Sequence, residues 1–269
     1  MINILISNDD GIYGNGLKPL IRALKNLGNV HVVVPDSERS AASHSITLHK
    51  PFRVQTFPIE LSKNETIRVH ATNGTPADCV RFGILKVLKN KKIDLVVSGI
   101  NHGFNLGEDT VYSGTVAVAR EAAMLQIPSI AMSVTSAPKA NFEYASKVCL
   151  KIAKIVLKIK LPPRVFLNVN VPQEKNPLLP LEITRLGRRI YGKEIPSGID
   201  PRGQEFFWLA GDIPKGIPEM GTDIAAIKAG KTAITPLLVD STHDAYLSEL
   251  AGRVAEEEYH ASKTKKRKN

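Results

Sequence analysis

The chain has 269 residues, 43% hydrophobic and 23% charged, enough for one large domain or a domain with an accessory piece. No apolar run reaches the ~18 residues of a membrane span, and the start, MINILISNDD, has neither a basic n-region nor a small-residue cleavage site. The formal net charge is +10, but five of the positive charges fall in residues 263–269 and aromatics are only 6%, so the tail reads as solvated and not as a nucleic-acid binder. The two cysteines, Cys79 and Cys149, sit in apolar helix-like segments with no disulfide or zinc spacing, which points to a reducing, cytoplasmic setting.

Ile2 to Ser7 is a short apolar run bounded by Asn8-Asp9-Asp10-Gly11, the pattern of a buried strand. Residues 16–27 place Leu17, Leu20, Ile21, Leu24 and Leu27 at helical spacing, with Pro19 tolerated in the first turn. Val30 to Val34 is continuous and β-branched, which completes a βαβ unit. Residues 37–75 predict a long active-site loop with one or two edge strands. Further on, residues 77–88, 113–125 and 142–159 predict helices, and 94–97, 128–134 and 164–169 predict strands. The fold class is α/β, with a doubly wound, largely parallel sheet.

After residue 172 prolines and glycines become frequent. Glu205 to Ala210 reads as a strand, Asp223 to Ala229 as a helix and Lys231 to Thr235 as a strand. The predicted organisation is a catalytic core over 1–172, hairpins and oligomerisation elements over 173–255 that return to the core, and a charged, disordered tail over 256–269.

Parallel sheets bind ligands at the carboxyl ends of their strands. Polar clusters fall there at Asp9-Asp10, Asp36 to Ser40, Ser98 to Asn101 and Asn168 to Asn170. Two adjacent carboxylates are costly without a cation, and Asp, Ser and Asn supply the hard oxygen ligands that magnesium and manganese prefer. A plain turn that caps the next helix explains Asp9-Asp10-Gly11 equally well. Gly11, Gly14 and Gly16 do not follow the dinucleotide order GxGxxG, yet they expose amides to an anion. Ser113-Gly114-Thr115 and Gly74-Thr75 precede helices and suit either phosphoryl oxygens or ordinary caps. His44, His102 and His243 stand in polar, loop-like surroundings. There is no G-x-S-x-G elbow.

Five segments resemble the SurE family: SNDDG at 7–11, PDSERSAASHSIT at 35–47, NGTPADCV at 73–80, VVSGINHGFNLGEDTVYSGTVAVAREAA at 96–123 and TDIAAIKAGKTAITPLLVD at 222–240. The resemblance spans nearly the whole chain. It implies a Rossmann-like core and a metal-dependent phosphomonoesterase, a 5'-nucleotidase acting on nucleoside 5'-monophosphates, with 3' esters a further substrate class. It implies one divalent ion per subunit, magnesium or manganese, on Asp9, Asp10, Ser40 and Asn101. It implies Asp109 and His243 near the chemistry and assembly as a homodimer or homotetramer. Asn8, Gly11, Gly74, Thr75, Ser113, Gly114 and Thr115 are the expected phosphate contacts. Attack by metal-activated water is the favoured route, and an aspartyl-phosphate on Asp9 is its competitor. The chain has Arg39-Ser40-Ala41 where the family often has Arg-Ser-Gly, and Ala122 after Glu121 where Gly is common.

Overall fold

The computed structural model describes residues 2–173, 180–209 and 214–266. Its chain falls into two units, Met1–Val239 and Asp240–Asn269. The first is built on a nine-stranded sheet. Strand β1 (Asn3–Ser7), helix α1 (Leu17–Leu24) and strand β2 (Asn29–Pro35) form the predicted βαβ unit, with β1 and β2 parallel. A hairpin of β3 (Val54–Ser62) and β4 (Glu65–Thr72) follows, then helix α2 (Pro76–Phe82), which passes into a wider π turn over Gly83–Val87. Next come β5 (Leu95–His102), α3 (Asp109–Tyr112), α4 (Gly114–Met124), β6 (Ser129–Val134), α5 (Phe142–Ile159) and β7 (Val165–Val171).

The strands align as β3-β4-β2-β1-β5-β6-β7 and are parallel from β4 to β7. Helices α1 and α5 cover one face and α2 and α4 the other, which is why β6, SIAMSV, is buried at every residue. The helical spacing of the sequence is realised in part: the helix ends at Leu24 and Leu27 lies half-buried in the turn beyond it, but Leu17, Leu20, Ile21 and Leu24 of α1 are all buried. Each such side chain stabilises the fold by about 1.5–3 kcal/mol relative to exposure. Asn141 caps α5, its side chain accepting from the Tyr144 amide at 2.9 Å.

The loop-rich stretch gives short strands β8 (Leu181–Ile183), β9 (Arg188–Ile190), β10 (Ser197–Ile199), β11 (Glu205–Phe207) and β12 (Lys215–Ile217), then helix α6 (Asp223–Lys228) and strand β13 (Thr232–Leu238). Strand β13 pairs antiparallel with β7 and parallel with β8, which completes the large sheet. β10–β11 and β12–β9 form two small sheets of their own. Of the strand expected over 205–210, Ala210 lies outside the described residues.

The second unit is one helix, α7 (Asp244–Lys266). The tail expected to lose order from residue 256 is therefore helical through Lys266, and residues 267–269 lie outside the described residues. Among the described residues no helix is long and apolar enough to cross a membrane.

Candidate active site

Strand β1 has β2 on one side and β5 on the other, so the direction of winding reverses beside it. Ligands of doubly wound sheets bind at such a point, outside the carboxyl ends of the strands. A cleft of about 750 Å³ opens there. Asp9 and Asp10 reach it from the end of β1, Asp36, Glu38 and Ser40 from the loop after β2, and Asn101 and His102 from β5. Sequence patterning ended β5 at residue 97. The strand instead resumes pairing beyond a register break, Asn101 opposite Ser133 and His102 opposite Val134. That irregularity carries the strand end into the cleft.

Asp9 is only 4% exposed. Its Oδ2 accepts the Thr115 amide at 3.0 Å and its Oδ1 accepts the Thr115 hydroxyl. The start of α4 therefore points at Asp9, where its partial positive charge favours a carboxylate. A Cβ on Gly114 would lie 2.8 Å from the Asp9 Cβ, so glycine lets α4 approach β1 this closely. Burial pushes the Asp9 carboxyl above its usual range against the Thr115 hydrogen bonds, with Glu38 adding to the rise. Asp10 is pushed up to about 6, first by burial and then by the charges of Asp9 and Glu38.

Hydrogen bonds orient the neutral donors. Asn101 donates its side-chain N–H to the Gly103 carbonyl at 2.8 Å, which leaves Oδ1 as its acceptor atom. The Ser40 hydroxyl donates to Glu38. The loop that carries Ser40 is tied down by Arg39 N–H to the Asp9 carbonyl at 2.7 Å, by Ser43 N–H to the Tyr112 carbonyl at 2.9 Å, and by His44 Nε2 2.8 Å from buried Glu121.

Behind the cleft lies a layer of polar side chains that includes the strand-end cluster Asn168 to Asn170 read from the sequence. Asn105 lines the cleft, and its backbone is held by Asn168 and Asn170 of β7: Asn170 Oδ1 accepts its N–H at 2.8 Å, and both side-chain amides donate to its carbonyl. The Asn168–Asn170 cluster thus supports the site from inside the sheet. Asp109 also lines the cleft. Arg189 reaches its Oδ2 at 2.7 Å and the Tyr191 hydroxyl donates to its Oδ1 at 2.7 Å. Asp223 accepts the amides of Gly107 at 2.9 Å and Gly187 at 2.8 Å, which fastens the loop before α3 to the loop before β9. Arg189 and Tyr191 come from a stretch whose prolines and glycines give no periodic signal. Glu38 and Asn105 lie within the family segments but were not assigned roles.

The expected phosphate contacts divide. Ser113 lines the cleft, but its side chain caps α4 by accepting from the Val116 amide at 3.1 Å. The Thr115 amide goes to Asp9. The Gly11 amide goes to the Asn8 side chain at 3.1 Å, and Asn8 donates back to the Gly11 carbonyl at 2.9 Å, which closes the turn after β1. Gly11 takes φ +77°, open to glycine at no steric cost. Of the expected contacts only Ser113 lines the cleft; Asn8, Gly11, Gly74, Thr75, Gly114 and Thr115 are not among its lining residues. The Gly74 amide goes to Thr72 Oγ1 at 3.2 Å, and Thr75 forms a capping box with Asp78 on α2. The cradle of free amides expected from these residues is thus mostly committed to protein acceptors. His243 lies in the second unit, its ring 6.1 Å from that of Tyr246 and edge-on to it.

The donor set fits a hard divalent cation. Two carboxylates that burial and nearby acids drive toward protonation regain their charge beside a cation. Serine and asparagine oxygens complete a set of oxygen ligands. Among the described residues no group of three or more His, Cys, Asp or Glu is placed to hold a metal.

The family model described as "Survival protein SurE" matches residues 4–193. A relative from Thermoanaerobacter sp. (strain X514), named 5'-nucleotidase SurE, is 42% identical over 241 residues, covering 90% of this chain and 94% of its own. One of the same name from Geobacter sulfurreducens (strain ATCC 51573 / DSM 12127 / PCA) is 43% identical over 256 residues, 93% of this chain and 92% of its own. The crystal structure of the SurE protein from Aquifex aeolicus superposes with a TM-score of 0.77 at 38% identity, covering 92% of this chain and 97% of that one. With the fold and the strand-end acids in place, these matches settle the family: the chain belongs to the SurE family.

Proposed function

We propose that the chain is a 5'-nucleotidase that hydrolyses nucleoside 5'-monophosphates to nucleoside and phosphate, with one magnesium or manganese ion on Asp9, Asp10, Ser40 and Asn101. The relatives' names support the activity. One observation carries the metal dependence. Asp9, Asp10, Asp36, Glu38 and Asp109 line the cleft, and among the described residues lining it none is Lys or Arg. A phosphate dianion has no favourable electrostatic reason to enter such a cleft unless a multivalent cation is bound there. Held by Asp9, Asp10, Ser40 and Asn101, such an ion would offset the charge of the phosphoryl oxygens and would lower the pKa of water there.

The residues divide the remaining work. Thr115 holds both oxygens of Asp9. That makes Asp9 a poor nucleophile and favours attack by water over an aspartyl-phosphate. Arg189 and Tyr191 occupy both oxygens of Asp109, so it acts as a fixed acceptor that orients water or a ribose hydroxyl. His243 is assigned proton donation to the leaving ribose oxygen. The assembly is a homodimer or homotetramer, supported by the exposed Phe207, Trp208 and Leu209. The buried free thiols of Cys79 and Cys149 suit a reducing cytoplasm.

The test is phosphate release from a panel of nucleoside monophosphates with Mg²⁺, with Mn²⁺ and with excess EDTA. Release should require metal and should fall at least about a hundredfold in Asp10→Asn. Release that persists in EDTA would sink the metal-dependent reading.

A further inference from the structure

The reaction cleft is lined mainly by carboxylates, amides and hydroxyls, with Tyr13, His102 and Tyr112 as its aromatic side chains. A second hollow of about 620 Å³ adjoins it. The two share one wall, Tyr13, Gly14 and Asn15. This wall belongs to the loop after β1, which crosses the end of β2, where the Ile12 amide donates to the Pro35 carbonyl at 3.0 Å. The far wall is Phe57, Pro58, Ile59 and Glu60 of β3. The hollow therefore lies between a loop fixed at the reacting end and the edge hairpin of the sheet.

Its chemistry differs from that of the cleft. Phe57 is 38% exposed and Tyr13 is 86% exposed, so both present ring surface and neither holds the fold together. Ile12, Pro58 and Ile59 make the remainder apolar, and Lys18, Asn15 and Glu60 place donors and acceptors around it. Aromatic faces bordered by a few polar groups are how proteins bind bases without reading a duplex. Three residues of chain span at most ~10 Å, the scale on which a ribose separates phosphate from base.

We infer that this hollow is the nucleobase subsite, taking the base of the substrate against Tyr13 and Phe57 while the phosphate sits at Asp9 and Asp10. The inference rests on the nucleotidase reading and adds where the base is held. A platform of aromatic faces accepts any base, so preference among bases falls to Lys18, Asn15 and Glu60 at its rim.

Phe57→Ala and Tyr13→Ala are compared with the parent enzyme in Mn²⁺, on adenosine 5'-monophosphate and on glycerol 2-phosphate, which has no base. Phe57→Ala should raise KM for the nucleotide about tenfold with kcat nearly unchanged, the signature of lost uniform binding, and Tyr13→Ala, at the wall shared with the reaction cleft, should raise that KM as well. Phe57→Ala, which borders only the second hollow, should leave glycerol 2-phosphate hydrolysis as it was. Adenosine, as an inhibitor of glycerol 2-phosphate hydrolysis, should weaken by the same factor, which reads base binding without the nucleotide's phosphate. An unchanged nucleotide KM in both variants would overturn the subsite. So would an equal loss on both substrates in Phe57→Ala, or a loss seen only in Tyr112→Ala, whose ring lines the reaction cleft and packs edge-on to Tyr191 at 6.4 Å. If the parent enzyme cleaves glycerol 2-phosphate but no nucleotide, the nucleotidase reading itself fails, and the subsite falls with it.

Discussion

Thr115 controls how Asp9 is presented, because it gives that carboxylate both a backbone and a side-chain donor. Groups that orient a metal ligand commonly change affinity about 10- to 100-fold when removed. Thr115→Val keeps the shape and the amide and deletes only the hydroxyl. Titration calorimetry with Mn²⁺ alone should show Kd about tenfold weaker, and an unchanged Kd would mean that the hydroxyl only supports the helix. Ala41 is a second case at this scale. It lines the cleft at φ +54°, a left-handed conformation that costs an alanine about 1–2 kcal/mol. Family members often carry glycine here, so the departure noticed in the sequence falls on a strained position. Ala41→Gly should raise stability in urea by about 1 kcal/mol; equal or lower stability would show that the loop absorbs the strain elsewhere. The acids Asp9 and Asp10 were legible because they end an apolar run. The partners of Asp109 were not, since Arg189 and Tyr191 meet it only through tertiary folding of an aperiodic stretch. The acceptors of the amides of Thr115, Gly11 and Gly74 were hidden for a related reason: spacing finds the amides but cannot tell that Asp9, Asn8 and Thr72 accept from them.

Elements whose burial follows one period were read well, and their ends less so. Strand β6 buries every residue, and helix α1 buries Leu17, Leu20, Ile21 and Leu24 of the pattern but stops before Leu27. Helix α2 was expected to run to residue 88 but gives way to a π turn at Gly83. Gly83 packs against Leu5, whose side chain a Cβ would approach to 2.8 Å, so the turn is shaped by the sheet and not by local preference. The start of α2 is set by a local device. Thr75 accepts from the Asp78 amide at 3.2 Å, and Asp78 accepts from the Thr75 amide at 2.9 Å and from the Thr47 amide at 3.0 Å. Burial raises the Asp78 carboxyl, but these hydrogen bonds outweigh it and hold it below its ordinary 3.8. A carboxyl depressed on folding adds stability above its unfolded pKa and loses it as pH falls through the folded one. Asp78→Asn should therefore cost about 1 kcal/mol at pH 7. The gap to the parent chain should narrow in urea melts below pH ~4. A gap that holds constant to pH ~2 would assign the loss to packing instead of charge.

For the whole molecule, alternating apolar strands and helices sufficed for a doubly wound sheet, because burial on both faces leaves a strong one-dimensional signal. Strand order beyond β7 was hidden. Strand β13 reaches back to pair with β7, and no local pattern encodes a partner so distant in sequence. The small hairpin of β10 and β11 poses a different problem. It forms a two-stranded sheet apart from the nine-stranded one, and a lone two-stranded hairpin is marginal in water. It nonetheless exposes Ile199 at 75%, Phe207 at 60% and Trp208 at 63%. Apolar area of this kind is offset when a second copy covers it, and closed symmetry lets the same hairpin serve on both subunits. The double variant Phe207→Ser, Trp208→Ser should shift the sedimentation coefficient toward that of a monomer at micromolar concentration. Its far-UV circular dichroism should stay as before, since neither side chain belongs to the buried core. If parent and variant sediment alike, the hairpin is not the contact of the proposed oligomer, and the exposed face of α7, with Leu247 and Leu250, is the next surface to alter.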